Sequence, residues 1–567
     1  MEKEGKTGRT IKNLLKYLYI LVWQDSLSSF LLLVIGTAGV GVSLSSVVLS
    51  KRVIDVATHV AEGKMEFLLV GLAILQVGSI GLSIIASRFA VRYQTTLYNR
   101  LSLHYFSGIL HAEWKAQQTY HSGDIMSRVG TDIGDIVQLM VRTFPQFLVT
   151  LFKLTGAIIY LFILDRRLTL VLVVIIPIVL LVSKLYFKRM RKLSVLIKEA
   201  QSAVRQYFQE SVQNAGIAKA LHIEDRMEKE LTKKQKTLLV HVLSHNRFHI
   251  FSNSVLSFGF AAGYLVAFSW GVYQLYGNEI TFGTMMAFLQ LVAMMQGPAL
   301  GLAASIPTFI VAYTALERLY ELETLPKEQV DPSLVQPSFR IERITFSDIA
   351  FGYESGRQIL THADFVFEQG KMTAIAGETG CGKTTVMRLI LGLISPQQGK
   401  VIVSDNKYSF QMSPAFRQRI AYVPQGNYLF SGSIRENLSL GNPNADDAAM
   451  KEALRQAAAD FVFTMPAGLD SELKESGKGL SGGQIQRLAI ARALLHGGEV
   501  LLLDEATASL DEKTEEEVIA SLKKNVKDKI VIVVTHRQRV IDVCDVQYKH
   551  IPHKIKMFFF ILTPFLI

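Results

Sequence analysis

Six apolar stretches, each long enough to cross a lipid bilayer, limit what this chain can fold into more than any other feature. A helix needs about 20 apolar residues to traverse about 30 Å of hydrocarbon. Ser26 to Ser50 and Phe67 to Ser87 carry no charge, Thr143 to Leu164 carries only Lys153, and Leu168 to Phe187 carries only Lys184. Ile250 to Asn278 and Ile280 to Leu316 are also uncharged, and the last is long enough to project beyond the bilayer. Any one of these alone would suit a buried core helix. Together they require a membrane domain, because a water-soluble fold has no core able to cover so much continuous apolar surface.

The apolar residues, 49% of the chain, are concentrated in 1–322, whereas the remainder reads as a soluble α/β domain. The net charge of +11 does not form one stripe with interleaved aromatics, which argues against nucleic acid. The basic residues instead flank the spans. Within the membrane half they gather in Arg88 to Arg142 and Lys188 to His249, so these two stretches and both termini are expected on the cytoplasmic side of a multi-pass protein of the cell membrane. The only cysteines, Cys381 and Cys544, fall in the cytoplasmic part, where no disulfide framework is expected. The first apolar run is too long for a cleavable signal peptide and has no small-residue cleavage site. Ahead of it, Ile11, Leu14, Leu15 and Leu18 recur at helical spacing among Lys12 and Lys16, as in a helix lying on the membrane surface.

The two basic stretches have few helix breakers, so they extend the membrane helices tens of Å into the cytosol. Each needs a reversal far from the bilayer. Ser122 to Arg128 with Thr131 and Asp132 is the expected first tip and Glu210 to Ile217 the second, both placed to touch a cytosolic domain. In the last span Met285, Met286, Met294 and Met295 accompany Gln290, Gln296, Pro298 and Pro307, a composition suited to lining a path for amphipathic cargo or to ordinary helix packing.

Composition changes at 323–340, where Pro326, Pro332 and Pro337 sit among charged residues: this is the expected linker. Beyond it, a short β run from Lys371 to Ala376 leads into Gly377, Glu378, Thr379, Gly380, Cys381, Gly382, Lys383, Thr384 and Thr385, and a helix follows. That is a phosphate-binding loop in its strand-to-helix setting: backbone N–H groups surround the phosphates, Lys383 reaches the β and γ phosphates, and Thr384 ligates Mg²⁺. Val500 to Leu503 is a buried-strand pattern ending in two acids. Asp504 there would support Mg²⁺, and Glu505 would orient or deprotonate the attacking water.

Between these elements lies Leu480-Ser481-Gly482-Gly483-Gln484, followed by a helical run through Arg492. With the phosphate loop upstream and the acidic strand downstream, the sequence resembles the ATP-binding-cassette (ABC) superfamily. The resemblance implies further roles. Tyr353 matches the aromatic residue that stacks on adenine, Gln425 the glutamine that contacts Mg²⁺, Asp511 the loop joining the two ATP sites, and His536 the histidine that contacts the γ-phosphate. Ser481, Gly483 and Gln484 would bind ATP held by a partner chain. The membrane half is similar to that of ABC exporters, so the implied protein is a half-transporter: a membrane all-α six-helix domain (1–322), a linker (323–340) and an α/β P-loop ATPase domain (341–545).

Such a chain would work as a homodimer or heterodimer, moving a drug, peptide or lipid by alternating access. An ATP-gated sensor is the rival reading, and intact Glu505 and His536 favour turnover over sensing. After Asp545 the family pattern stops. Residues 546–567, with Pro552, Pro564 and an apolar end, form an atypical tail for which a shifted reading frame or truncation is the leading expectation, so that the tail would be a passenger and the protein could be an inactive remnant; the alternative is that Lys554 to Leu562 replaces the missing strand of the ATPase sheet and buries its Phe residues.

Overall fold

A computed structural model describes residues 25–558 except 121, 332, 334–337, 354–357, 379, 427, 475–476, 478, 525 and 552–553; side chains at 122, 171–188, 191, 252–253, 256, 300, 303–304 and 550–558 are also outside the description. The surface helix expected around residues 11–18 therefore lies outside the described residues, as does Thr379. Two compact units emerge. The first is Met1–Gly108 with His121–Thr324, and the second is Ile109–Tyr120 with Leu325–Ile567.

Among its described residues the first unit is helical, apart from the turns that connect its helices. Helices α1 (Ser26–Ala57), α2 (Met65–Leu110), α4 (Gly123–Leu164), α5 (Arg166–Gln213), α7 (Glu224–Tyr276) and α8 (Phe282–Glu323) account for the six expected spans. Among the described residues α1, α2 and α4 are long and apolar enough to cross a membrane by length and composition. At 46 and 53 residues, α2 and α7 run about 70 and 80 Å, well beyond a bilayer. The apolar residues are arranged outward as well as inward: Phe67, Ile74 and Val77 on α2 are more than three-fifths exposed. Such an outward apolar face suits contact with lipid.

Inside the bundle, Val47, Ala157, Leu161, Leu168, Ala267, Phe288 and Leu291 are buried together. Small residues permit that approach. A Cβ on Gly156 would stand 2.6 Å from Leu44, and one on Gly271 would stand 2.8 Å from Met285. Met295 is buried in this core, Met286 and Met294 pack against it, and Met285 is buried beside Gly271, while Gln296 lines a cavity between α7 and α8.

The second reversal falls where it was expected, since α5 ends at Gln213 and the short α6 (Ala215–Ala220) precedes α7. The first does not. Ser122–Ser127 is already helical and continues through a π-helical turn, Arg128–Asp132, into the rest of α4. The chain turns about ten residues earlier, around the one-turn helix α3 (Trp114–Gln117). Charge pairing holds the helix there: Arg128 is bonded to Asp124 at 2.9 Å and to Glu321 of α8 at 2.7 Å, and Arg318 pairs with the fully buried Asp132.

Among its described residues the second unit has two large sheets and a small two-stranded one, Gly432–Ser433 with Glu472–Leu473. An antiparallel sheet has the order β2 (Leu360–Glu368), β1 (Arg343–Phe351), β4 (Gln398–Ser404), β5 (Ser409–Gln411). The main sheet has the order β10 (Lys554–Phe558), β9 (Val546–Ile551), β3 (Met372–Gly377), β8 (Ile530–Val534), β7 (Val500–Asp504), β6 (Ile420–Val423). Its strands β3, β6, β7, β8 and β9 run parallel. Buried on both faces, β7 and β8 are continuous apolar runs, the composition that such strands require.

Residues beyond Asp545 take part in this sheet, contrary to the passenger expectation. Val546 pairs with Thr373 and Tyr548 with Ile375. Tyr548 is only 2% exposed, and its hydroxyl accepts from Val366 N–H at 2.9 Å and donates to Val366 C=O at 3.1 Å. Its ring packs edge-on against Phe365 and Phe367 at 5.0 and 5.9 Å. Pro552 and Pro564, on which the passenger expectation rested, both lie outside the described residues.

Candidate nucleotide site

The C-terminal end of β3 and the N-terminus of helix α9 (Lys383–Ile390) form a cradle of backbone. Gly380 and Gly382 sit at φ 85° and 104°, a region that costs L-residues about 1–2 kcal/mol, and a Cβ at Gly382 would also meet Ile359 at 2.9 Å. The Lys383 ammonium lies across this loop, donating to the carbonyls of Gly377 at 2.7 Å and Glu378 at 3.2 Å. Cys381 is half-buried there, with its N–H bonded to Glu378 C=O at 3.3 Å.

Parallel pairing brings the end of β7 beside this loop. Asp504 is 1% exposed; it accepts the Thr384 hydroxyl, and its Oδ2 has no partner among the described residues. Burial pushes its carboxyl above the usual range, with the Thr384 bond and the charges of Arg388 and Lys383 offsetting part of that. A buried carboxylate with a free oxygen next to a hydroxyl and a phosphate loop fits a divalent cation bound together with phosphate.

Glu505 adopts φ 49°, in the left-handed region that a glutamate rarely enters. Several bonds hold it there. Gln425 Nε2 donates to Glu505 Oε2 at 2.6 Å, Glu505 N–H donates to Val534 C=O at 3.0 Å, and Gln486 Nε2 donates to Glu505 C=O at 3.4 Å. Observed backbone strain of this kind is concentrated at functional sites. Tyr353 completes the group on the other side of α9, with its hydroxyl 3.4 Å from Thr385 Oγ1.

The Ser481 segment starts a separate feature. Ser481 caps helix α10 (Gly482–His496): its hydroxyl accepts from Gln484 N–H at 3.2 Å, and Gln484 Oε1 accepts from Ser481 N–H at 2.9 Å. Ser481 is exposed. Gly483 is needed because a Cβ there would stand 2.9 Å from Ser509 C=O, so α10 packs directly on the Ala508–Asp511 loop. Asp511 caps α11 (Glu512–Lys524), accepting from Thr514 N–H at 3.0 Å and Thr514 Oγ1 at 2.8 Å, which holds its carboxyl below the usual range. His536 is exposed on the loop after β8.

Two residues not singled out from the sequence tie these loops together. Gln486 is 8% exposed and bridges Glu505 C=O to Ser509 N–H, which donates to its Oε1 at 2.9 Å. Arg537 donates to the carbonyls of Ala508 at 2.8 Å and Leu510 at 3.1 Å and pairs with buried Glu515 at 3.0 Å. Proximity of Arg537 to His536 was the only sequence signal for it.

The family model for the ABC transporter transmembrane region matches residues 29–299, and that for the ABC transporter matches 360–508. A Staphylococcus aureus protein named as a multidrug export ATP-binding/permease protein is 30% identical over 426 residues, 75% of this chain and 74% of that protein. An ABC transporter ATP-binding protein of Sinorhizobium fredii is 30% identical over 447 residues, 78% of this chain and 75% of that one. The structure of a bacterial Atm1-family ABC exporter with ATP bound superposes with a TM-score of 0.77 at 20% identity, covering 94% of each chain.

Proposed function

Because this chain belongs to the ABC transporter family, we propose that it is a half-transporter that pairs with a second one to export amphipathic molecules at the expense of ATP hydrolysis. The observation that carries the reading is the convergence of Lys383, Thr384, Asp504, Glu505 and Gln425 at one end of the main sheet. Ligands bind at such strand ends in open α/β sheets.

In this reading Gly377, Glu378, Gly380, Cys381, Gly382 and Thr385, with Thr379, surround the phosphates, Lys383 contacts the β and γ phosphates, and Tyr353 carries the base. Thr384, Asp504 and Gln425 would hold Mg²⁺, which when bound neutralises charge developing on the phosphates. Glu505 orients the attacking water and takes its proton, Gln425 aims the Glu505 carboxylate, and His536 contacts the γ-phosphate.

Ser481, Gly483 and Gln484 of one chain face the nucleotide of the other, and Asp511 links the two sites. Closing two chains on ATP then drives the membrane helices, provided that ATP binds the closed state more tightly. The ATPase unit would lie on the cytoplasmic side of the cell membrane.

The cavity of about 520 Å³ between α7 and α8 supports an amphipathic cargo. Its walls are Phe260, Tyr264, Leu265 and Val292, with Ser257 and Gln296 as the polar groups. Inside-out vesicles should accumulate an amphipathic fluorescent dye with ATP and not when Lys383 is Ala. Normal ATP turnover without transport of any dye, peptide or lipid probe would favour a sensor instead.

The dimer makes its own prediction. With a cysteine introduced at Ser481 in a background that keeps the native Cys381 of the phosphate loop and lacks Cys544, ATP should raise cross-linking between two chains at least several-fold. Cross-links confined to one chain would contradict the shared site.

A further inference from the structure

Helix α3 sits in the turn between two long helices of the membrane unit, yet its contacts place it in the nucleotide-binding unit. Its backbone is tied to the start of that unit. Glu113 N–H donates to Pro326 C=O at 2.8 Å, Glu328 N–H donates to His111 C=O at 2.9 Å, and Ala112 bridges to Lys327. The Glu328 carboxylate accepts both terminal nitrogens of Arg417 at 2.9 and 2.8 Å, while Arg417 Nε donates to Leu391 C=O, just past α9, at 3.0 Å. This scaffold brings α3 to α9.

There Arg388 of α9 places its guanidinium carbon 4.6 Å from the centre of the Trp114 ring. The same group donates to the Tyr353 hydroxyl at 2.6 Å and lies 5.7 Å from the Tyr353 ring. Phe351 supports that ring edge-on at 5.0 Å. One planar cation therefore joins Trp114 to the Tyr353 hydroxyl, a task suited to arginine, which can stack and donate in-plane together.

We propose that Arg388 is a positioning residue: it holds Tyr353 for the purine base and is itself held by Trp114, so that nucleotide affinity depends on the turn between two membrane helices. The proposal rests on the reading of Tyr353 as the base platform. Linkage makes the effect reciprocal, so nucleotide that fixes Tyr353 also favours the docked Trp114.

The test uses full-length protein in detergent and measures KM for ATP and kcat separately. Trp114→Ala should raise KM about fivefold, the size expected from losing a partly desolvated cation–π contact, with kcat changed less than twofold. Trp114→Phe should restore most of the affinity, and Trp114→Leu, which keeps apolar volume without a π face, should not. Combining Trp114→Ala with Arg388→Ala should be no worse than Arg388→Ala alone.

A normal KM in both Trp114→Ala and Trp114→Leu, or fully additive effects, overturns the proposal. Tyr353→Ala separates the two levels. If it raises KM while the Trp114 variants do not, the relay fails and the base platform stands; if it leaves KM unchanged, the platform reading fails and the relay with it.

Discussion

Replacing Glu505 with Gln is expected to leave ATP binding within a few-fold of the parent and to lower steady-state hydrolysis by at least about a hundredfold, since a positioned general base contributes 10²–10⁴. The expectation is sharp because the substitution is nearly isosteric at a site whose backbone is held independently of the carboxylate. Glu505 N–H is bonded to Val534, its carbonyl accepts from Gln486, and neither contact involves the side chain. A glutamine can still accept the bond that Gln425 makes at 2.6 Å. What is lost is the negative charge needed to take a proton from water.

Asp504, buried and bonded to Thr384, is untouched, so the phosphate and cation contacts proposed for it would persist. Nucleotide affinity from equilibrium binding and phosphate release from a coupled assay decide the matter. Turnover above about a tenth of the parent rate would remove Glu505 from the role, whereas loss of binding would show that its carboxylate is structural.

Ending the chain at Asp545 is expected to abolish most folded, active protein. The truncation removes β9 from the main sheet and deletes Val546 and Tyr548, 6% and 2% exposed. Large-to-small changes of buried aromatics alone cost about 3–5 kcal/mol. Here the loss also leaves Val366 N–H and C=O without their hydroxyl partner and uncovers Phe365 and Phe367. Each unpaired buried group costs about 1–3 kcal/mol, and a domain holds only about 5–15 kcal/mol in total.

Thermal unfolding and ATPase activity of both forms in one detergent provide the comparison. Tyr548→Phe should be milder, removing the hydroxyl bonds while keeping the ring. If the truncated protein unfolds at the same temperature with the same turnover, β9 contributes nothing.

Much of this protein was legible without tertiary information. The spans could be read because a bilayer imposes a length and an apolarity on each helix independently of its neighbours. Lys383, Thr384, Asp504 and Glu505 could be singled out as candidates because phosphate chemistry demands local arrangements: glycines at positive φ, a helix N-terminus, and acids at a strand end.

Only the tertiary structure decided the rest, where the energy comes from contacts between distant segments. The first tip was misplaced because nothing local marks Ser122 to Asp132 as continuous helix; the pairing of Arg128 and Asp132 with Glu321 and Arg318, nearly two hundred residues away, exists only in the fold. The residues after Asp545 looked like a passenger because a strand-length run with an unfamiliar motif has no local signature of burial; hydrogen bonding to β3 and the Val366 partners of Tyr548 supply it. The joining of Trp114, Arg388 and Tyr353 was equally hidden, since a cation–π contact has no sequence spacing and exists only once the fold has brought three segments within 6 Å.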